Sequence, residues 1–120
     1  MFQFLMGGRV DRITPQEVMD AQKTGDIVVI DVRDHGEVTM TGKAKGAKHI
    51  PTMLLASRAN PAHPERDPDL SPEKTIALYC ASGARSHSAG QILQRLGYTD
   101  VRNMGGLHDW ARAGGEIERI

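Results

Sequence analysis

The run Thr75-Ile76-Ala77-Leu78-Tyr79-Cys80-Ala81-Ser82-Gly83-Ala84-Arg85-Ser86 decides how this chain folds. Its first half is apolar and ends at the only cysteine in the sequence. Such a run, bounded by a turn, is the pattern of a strand buried on both faces. Its second half is small, polar and glycine-containing. It leads into a helix over 84–96, with Ala89, Ile92, Leu93 and Leu96 on one face and Gly97 closing it. Strand, tight loop and helix start together bring backbone N–H groups and a positive dipole end to one point. A cysteine there is favoured as thiolate, its reactive form. An isolated free cysteine is commonly a plain core residue. The glycine loop, Arg85 and two hydroxyls weigh against that reading of Cys80.

Outward from this run, strands and helices alternate. Arg9–Ile13 reads as a short strand. Thr14-Pro15-Gln16-Glu17 is a helix start, with a capping threonine, proline at the first position and glutamate completing a capping box. Gly25 ends that helix. Residues 26–32 form a β-branched run that reads as a second buried strand. Residues 33–41 read as a loop with a short helix, 45–51 as a short strand stopped by Pro51, and 52–59 as a short helix. Residues 60–74 carry four of the six prolines and read as a surface loop. A short strand at 100–102 and a last helix at 107–112 follow. The alternation predicts an α/β domain with a mostly parallel sheet. Chemistry in such sheets sits at the carboxyl ends of strands, where Cys80 falls.

At 120 residues the chain is expected to form one domain, 9–120, after a short N-terminal extension, 1–8. Fifteen basic and fifteen acidic residues cancel, so no nucleic-acid footprint is expected. The apolar start, Met1–Met6, is too short for a signal-peptide core or a membrane span. Phe2, Phe4 and Leu5 there form a small apolar patch suited to self-association. One cysteine makes no internal disulfide, and a lone reactive thiol fits a reducing, cytoplasmic setting. The five histidines are scattered without zinc-ligand spacing, so no metal is expected. A Gly-x-Ser-x-Gly elbow is missing too.

The loop itself suggests a compact anion site. The backbone amides of Ala81, Ser82, Gly83, Ala84 and Arg85 would converge beyond the sulfur if the loop curls. Gly83 takes positive φ freely. Ser82 and Ser86 offer hydroxyls, and Arg85 adds fixed charge at the rim. No general base adjoins Cys80. His87 follows on the helix and Arg58 ends the short helix after Pro51, and spacing leaves the direction of both open.

Cys80-Ala81-Ser82-Gly83-Ala84-Arg85-Ser86 resembles the Cys-x-x-Gly-x-Arg-Ser active-site loop of single-domain rhodaneses, a sulfurtransferase family. Asp31-Val32-Arg33 with Glu37, Gly46-Ala47 with Ile50-Pro51, Leu96-Gly97-Tyr98 with Val101, and Gly105-Gly106-Leu107 with Trp110 resemble its other segments in order. The resemblance implies a central parallel sheet of about five strands with helices on both faces. It implies that Cys80 accepts a sulfane sulfur as a persulfide, held by the loop 81–86, and passes it to a thiophilic acceptor such as cyanide or a thiol. Neither metal nor organic cofactor is implied. Asp31, Arg33 and Glu37 are expected to be structural, with Arg33 paired to Glu37 across the turn. Trp110 is expected in the core.

Two departures from the family pattern stand out. Gly42-Lys43-Ala44, followed by Lys45, replaces a Gly-His-Ile or Gly-His-Val segment and is expected to alter packing or add charge near the rim. Ala81 and Ser82 are neutral where thiosulfate-using members often carry basic residues, leaving Arg85 as the cation of the loop. The small anionic donor is thus left open. A sulfur carrier or binding module for a protein partner is an alternative, with loop 60–74 as the docking candidate. Cysteine-based phosphatases and arsenate reductases use a related cup with a longer run between Cys and Arg. Only four residues separate Cys80 from Arg85, which suits a smaller occupant.

Overall fold

The computed structural model describes residues 9–120, so the expected extension at 1–8, with Phe2, Phe4 and Leu5, lies outside the described residues. Five strands, β1 (Asp11–Arg12), β2 (Val28–Asp31), β4 (Lys48–His49), β5 (Thr75–Cys80) and β6 (Asp100–Gly106), form one parallel sheet in the order β1-β6-β5-β2-β4. The helices are α1 (Pro15–Thr24), α2 (His35–Thr41), α3 (Thr52–Arg58), α4 (Ala84–Arg95) and α5 (Leu107–Arg112).

Alternation along β5 sets the layers. Ile76, Leu78 and Cys80 face a core that includes Leu55 of α3 and Ala89 and Leu93 of α4. Ala77 and Tyr79 face a second core with Val18 of α1, Met104 and Trp110 of α5. Helices thus cover both faces, as the buried runs predict. The start of α1 follows the capping box: Thr14 Oγ1 accepts the Glu17 N–H at 3.1 Å, and Glu17 accepts the Thr14 N–H at 2.9 Å. Gly25 ends the helix at φ +74°.

Three stretches differ from the sequence reading. The strand expected at 100–102 runs on to Gly106, because a bulge absorbs one residue. Leu78 pairs with Asn103 and Tyr79 with Gly105, leaving Met104 as the extra residue. The strand expected over 45–51 shrinks to Lys48–His49. A second, antiparallel ladder joins β3 (Lys43–Ala44) to β7 (Ile117–Glu118). That ladder overturns the expectation of charge at the rim from Lys43. Its ammonium binds Glu118 and the Ala47 carbonyl instead, while Lys45 lies 3.6 Å from Glu116.

The proline-rich loop 60–74 is tied down. Leu70 is buried, Lys48 lies 3.1 Å from Asp67 and 2.8 Å from Asp69, and the Asp67 N–H donates to the Arg58 carbonyl. Among the described residues no helix is long and apolar enough to cross a membrane.

Candidate active site

Cys80 ends β5 between β2 and β6, at the carboxyl edge of the sheet, and its residue surface is fully buried. Gly83 then turns the chain at φ +101° and caps α4. The left-handed turn aims the Gly83 N–H at the sulfur, 3.0 Å away. Ser86, in the first turn of α4, places its Oγ 3.5 Å from the sulfur. Burial pushes the Cys80 thiol up. The Ser86 hydroxyl and amide, then the Gly83 and Ser82 amides, pull it down and prevail, so it lies below its ordinary value. Within hydrogen-bond distance of the sulfur stand the Gly83 N–H and the Ser86 hydroxyl, both on residues the sequence reading places in the loop. Ser86 joins because the helix begins early enough to turn its N–H and hydroxyl back to the strand end.

Gly106 makes the loop possible. It ends β6 opposite Cys80, and a Cβ there would lie 2.1 Å from the Ala81 carbonyl oxygen. Ala84 and Arg85 form part of the wall of a cleft of about 520 Å³, with Asp34, Thr52, Met53 and Ser88. Ala81 and Ser82 are exposed at the loop. His87 is exposed, and neither it nor Arg58 lines the cleft. A larger cavity, about 670 Å³, sits by Met19, Ile27 and Trp110 and has no cysteine or histidine in its lining. Among the described residues no group of three or more acidic, His or Cys side chains is placed to hold a metal ion.

The expected Arg33–Glu37 pair does not form. Arg33 turns inward and grips Asp31 through Nε at 3.0 and 3.1 Å and Nη2 at 2.7 Å. It also donates to Thr41 Oγ1 and the Gly42 carbonyl. A planar guanidinium with donors on three sides satisfies this buried corner, where Glu37 does not reach. Tyr79 completes it, donating to Asp31 at 2.6 Å and accepting the Ala44 N–H. Burial, then Asp31, raise the Tyr79 phenol well above its ordinary value, so it stays protonated. Glu37 instead meets Arg85 in a two-pronged pair at 2.6 and 2.9 Å. The Arg85 guanidinium brings the Glu37 carboxyl down to about 2.

Asn103 was not legible as a site residue. It is buried in β6 and bonds to the Gly83 carbonyl, the Gly105 N–H and the Ser86 hydroxyl. Its only sequence signal is its place two residues before the Gly105-Gly106 pair, and the strand was expected to stop short of it.

Comparison with known proteins agrees with this architecture. The family model described as the rhodanese-like domain matches residues 14–113, and the chain belongs to that family. A protein of Allochromatium vinosum named sulfurtransferase is 34% identical over 92 residues, 76% of this chain and 78% of that one. A human single-domain sulfurtransferase, TSTD1, has a solved structure with a TM-score of 0.75 at 26% identity, covering 86% of this chain and 96% of that one. A solved Rhodopseudomonas palustris protein, named as of unknown function and a possible tyrosine phosphatase, gives a TM-score of 0.80 at 30% identity, covering 91% of this chain and 85% of that one. The fold and the named relatives together set this chain among sulfurtransferases.

Proposed function

We propose that this protein moves a sulfane sulfur through a persulfide on Cys80. The observation that carries the reading is the buried sulfur with the Gly83 N–H at 3.0 Å and the Ser86 hydroxyl at 3.5 Å, on a loop whose Ala84 and Arg85 line a cleft. These donors stabilise a thiolate without a base. In the first half-reaction the thiolate attacks the outer sulfur of a donor such as thiosulfate. A Cys80–S bond forms, the donor S–S bond breaks, and sulfite leaves with the electron pair. The negative charge then resides on the terminal sulfur, a compact anion suited to a cup of N–H dipoles. In the second, a thiophile such as cyanide attacks that sulfur, thiocyanate leaves, and the thiolate returns. A protein thiol in place of cyanide would make the chain a relay, with the same bonds made and broken. Such a thiol must stay reduced, which fits the cytoplasm.

The name of the Rhodopseudomonas relative brings phosphate-ester hydrolysis into view for that protein. In this chain, the four residues between Cys80 and Arg85 and the neutralised Arg85 favour sulfur over a phosphoryl group. Intact mass spectrometry tests the proposal. Wild-type protein exposed to thiosulfate, or to glutathione persulfide, should gain one sulfur that cyanide removes. Cys80→Ala should gain none while remaining folded. Absence of any cyanide-labile sulfur with either donor would overturn it.

A further inference from the structure

Asn103 has no part in the steps above, yet it is 6% exposed and bonded to the catalytic loop. Two backbone groups fix its amide. Nδ2 donates to the Gly83 carbonyl at 2.9 Å, and Oδ1 accepts the Gly105 N–H at 3.0 Å. A carbonyl only accepts and an N–H only donates, so the amide has a single orientation. Its oxygen is then an acceptor 2.7 Å from Ser86 Oγ. Ser86 Oγ is also 3.5 Å from Cys80 Sγ and 3.1 Å from the Gly83 carbonyl oxygen. That carbonyl already receives the Asn103 amide and the His87 N–H. The choice for the single Ser86 proton thus narrows to Asn103 and the sulfur.

We propose that Asn103 is a positioning residue: it holds the Ser86 hydroxyl where its proton swings between the Asn103 amide oxygen and the Cys80 sulfur as that sulfur gains and loses charge. The idea rests on the sulfur-transfer reading. In the thiol, the S–H donates to Ser86 Oγ and the hydroxyl donates to Asn103. In the thiolate, the sulfur can only accept, so the hydroxyl turns to it. Asn103 Oδ1 keeps the Gly105 N–H and is not stranded. In the persulfide, charge moves to the terminal sulfur, and the hydroxyl returns to Asn103. No buried polar group is left without a partner at any stage, which is the costly condition. The same amide ties Gly83 to β6, keeping the loop against the strand end.

The test is the pH dependence of Cys80 alkylation by iodoacetamide, with folding followed by far-UV circular dichroism. Ser86→Ala should move the thiol titration to higher pH, slowing alkylation at neutral pH about three- to tenfold, whereas Asn103→Ala, which removes the acceptor competing for the Ser86 proton, should move it to lower pH. The double variant should titrate as Ser86→Ala alone does, because Asn103 acts on the sulfur only through the Ser86 hydroxyl. Asn103→Leu, of similar volume, replaces the alanine variant if that fails to fold. A wild-type profile in the folded Asn103 variant, or fully additive shifts, overturns the proposal. Alkylation needs no sulfur donor, so a failed persulfide assay and a failed Asn103 test remain separate results.

Discussion

Two strand ends lie side by side in this sheet, and they hold chemically strong groups in opposite ways. At the end of β2, Asp31 is gripped by the Arg33 guanidinium, the Arg33 N–H and the Tyr79 hydroxyl. At the end of β5, Cys80 is met by backbone N–H groups and one hydroxyl. The ion pair suits a charge that never changes, because removing either partner leaves the other buried and unpaired. Dipoles suit a charge that comes and goes, since they tolerate the neutral form. On the proposed reading, one strand end is built to stay and its neighbour to cycle.

The sharpest way to break this comparison is to remove one anchor from each side. Asp31→Ala should cost about 3–5 kcal/mol, since it strands a buried guanidinium. Replacing Asp31 and Arg33 together with leucine and methionine should recover much of that loss. Cys80→Ala should cost about 1 kcal/mol or less while ending all sulfur transfer. Urea unfolding of the variants decides it. Equal destabilisation at both strand ends would show that Cys80 is structural as well.

A smaller effect is expected at Gly106, which lets the loop approach the sheet. Gly106→Ala would set a Cβ 2.1 Å from the Ala81 carbonyl oxygen, so the loop must move away from β6. A misplacement of about 1 Å at a reacting centre costs on the order of a hundredfold in rate. Single-turnover sulfur loading, compared with unfolding midpoints, should show a loss of rate exceeding the loss of stability. A variant with the wild-type loading rate would mean that the loop position is not set by this contact.

The same contrast explains what was legible in the sequence. The buried strands, the Thr14 capping box, the Gly25 terminus and the Cys80–Ser86 loop are local patterns, and each stands where its periodicity or spacing puts it. What was missed depends on pairs far apart in the chain. Asp31 and Tyr79 are 48 positions apart, as are Glu37 and Arg85. Spacing alone favours the near pair, Arg33 with Glu37, and sheet register overrules it. Asn103 was hidden for a related reason: the strand was expected to end at residue 102, whereas the bulge at Met104 lets it continue. The β3–β7 ladder, two residues on each side, is too short to show any period.

The finest prediction concerns the rim, where the two solutions meet. Arg85 faces the cleft but is paired with Glu37, with side-chain exposures of 40% and 34%. A pair this open contributes only about 0–1 kcal/mol to stability. Glu37→Gln should therefore hardly change the unfolding midpoint at neutral pH, yet release a cation at the mouth of the site. The KM for thiosulfate should fall a few-fold, with little change for an uncharged persulfide donor; equal shifts for both would mean that Arg85 does not face the donor. The pH dependence gives a second check. Glu37 is held near 2, below its ordinary value of 4.5, so its contribution is present above about 4.5 and is lost as pH falls toward 2. The small stability gap between wild type and Glu37→Gln should close over that range and stay constant above it. Glu37 is thus charged at neutral pH and well below it. On the proposed reading, the rim cation then stays cancelled throughout, and discrimination among donors falls to the neutral dipoles around the sulfur.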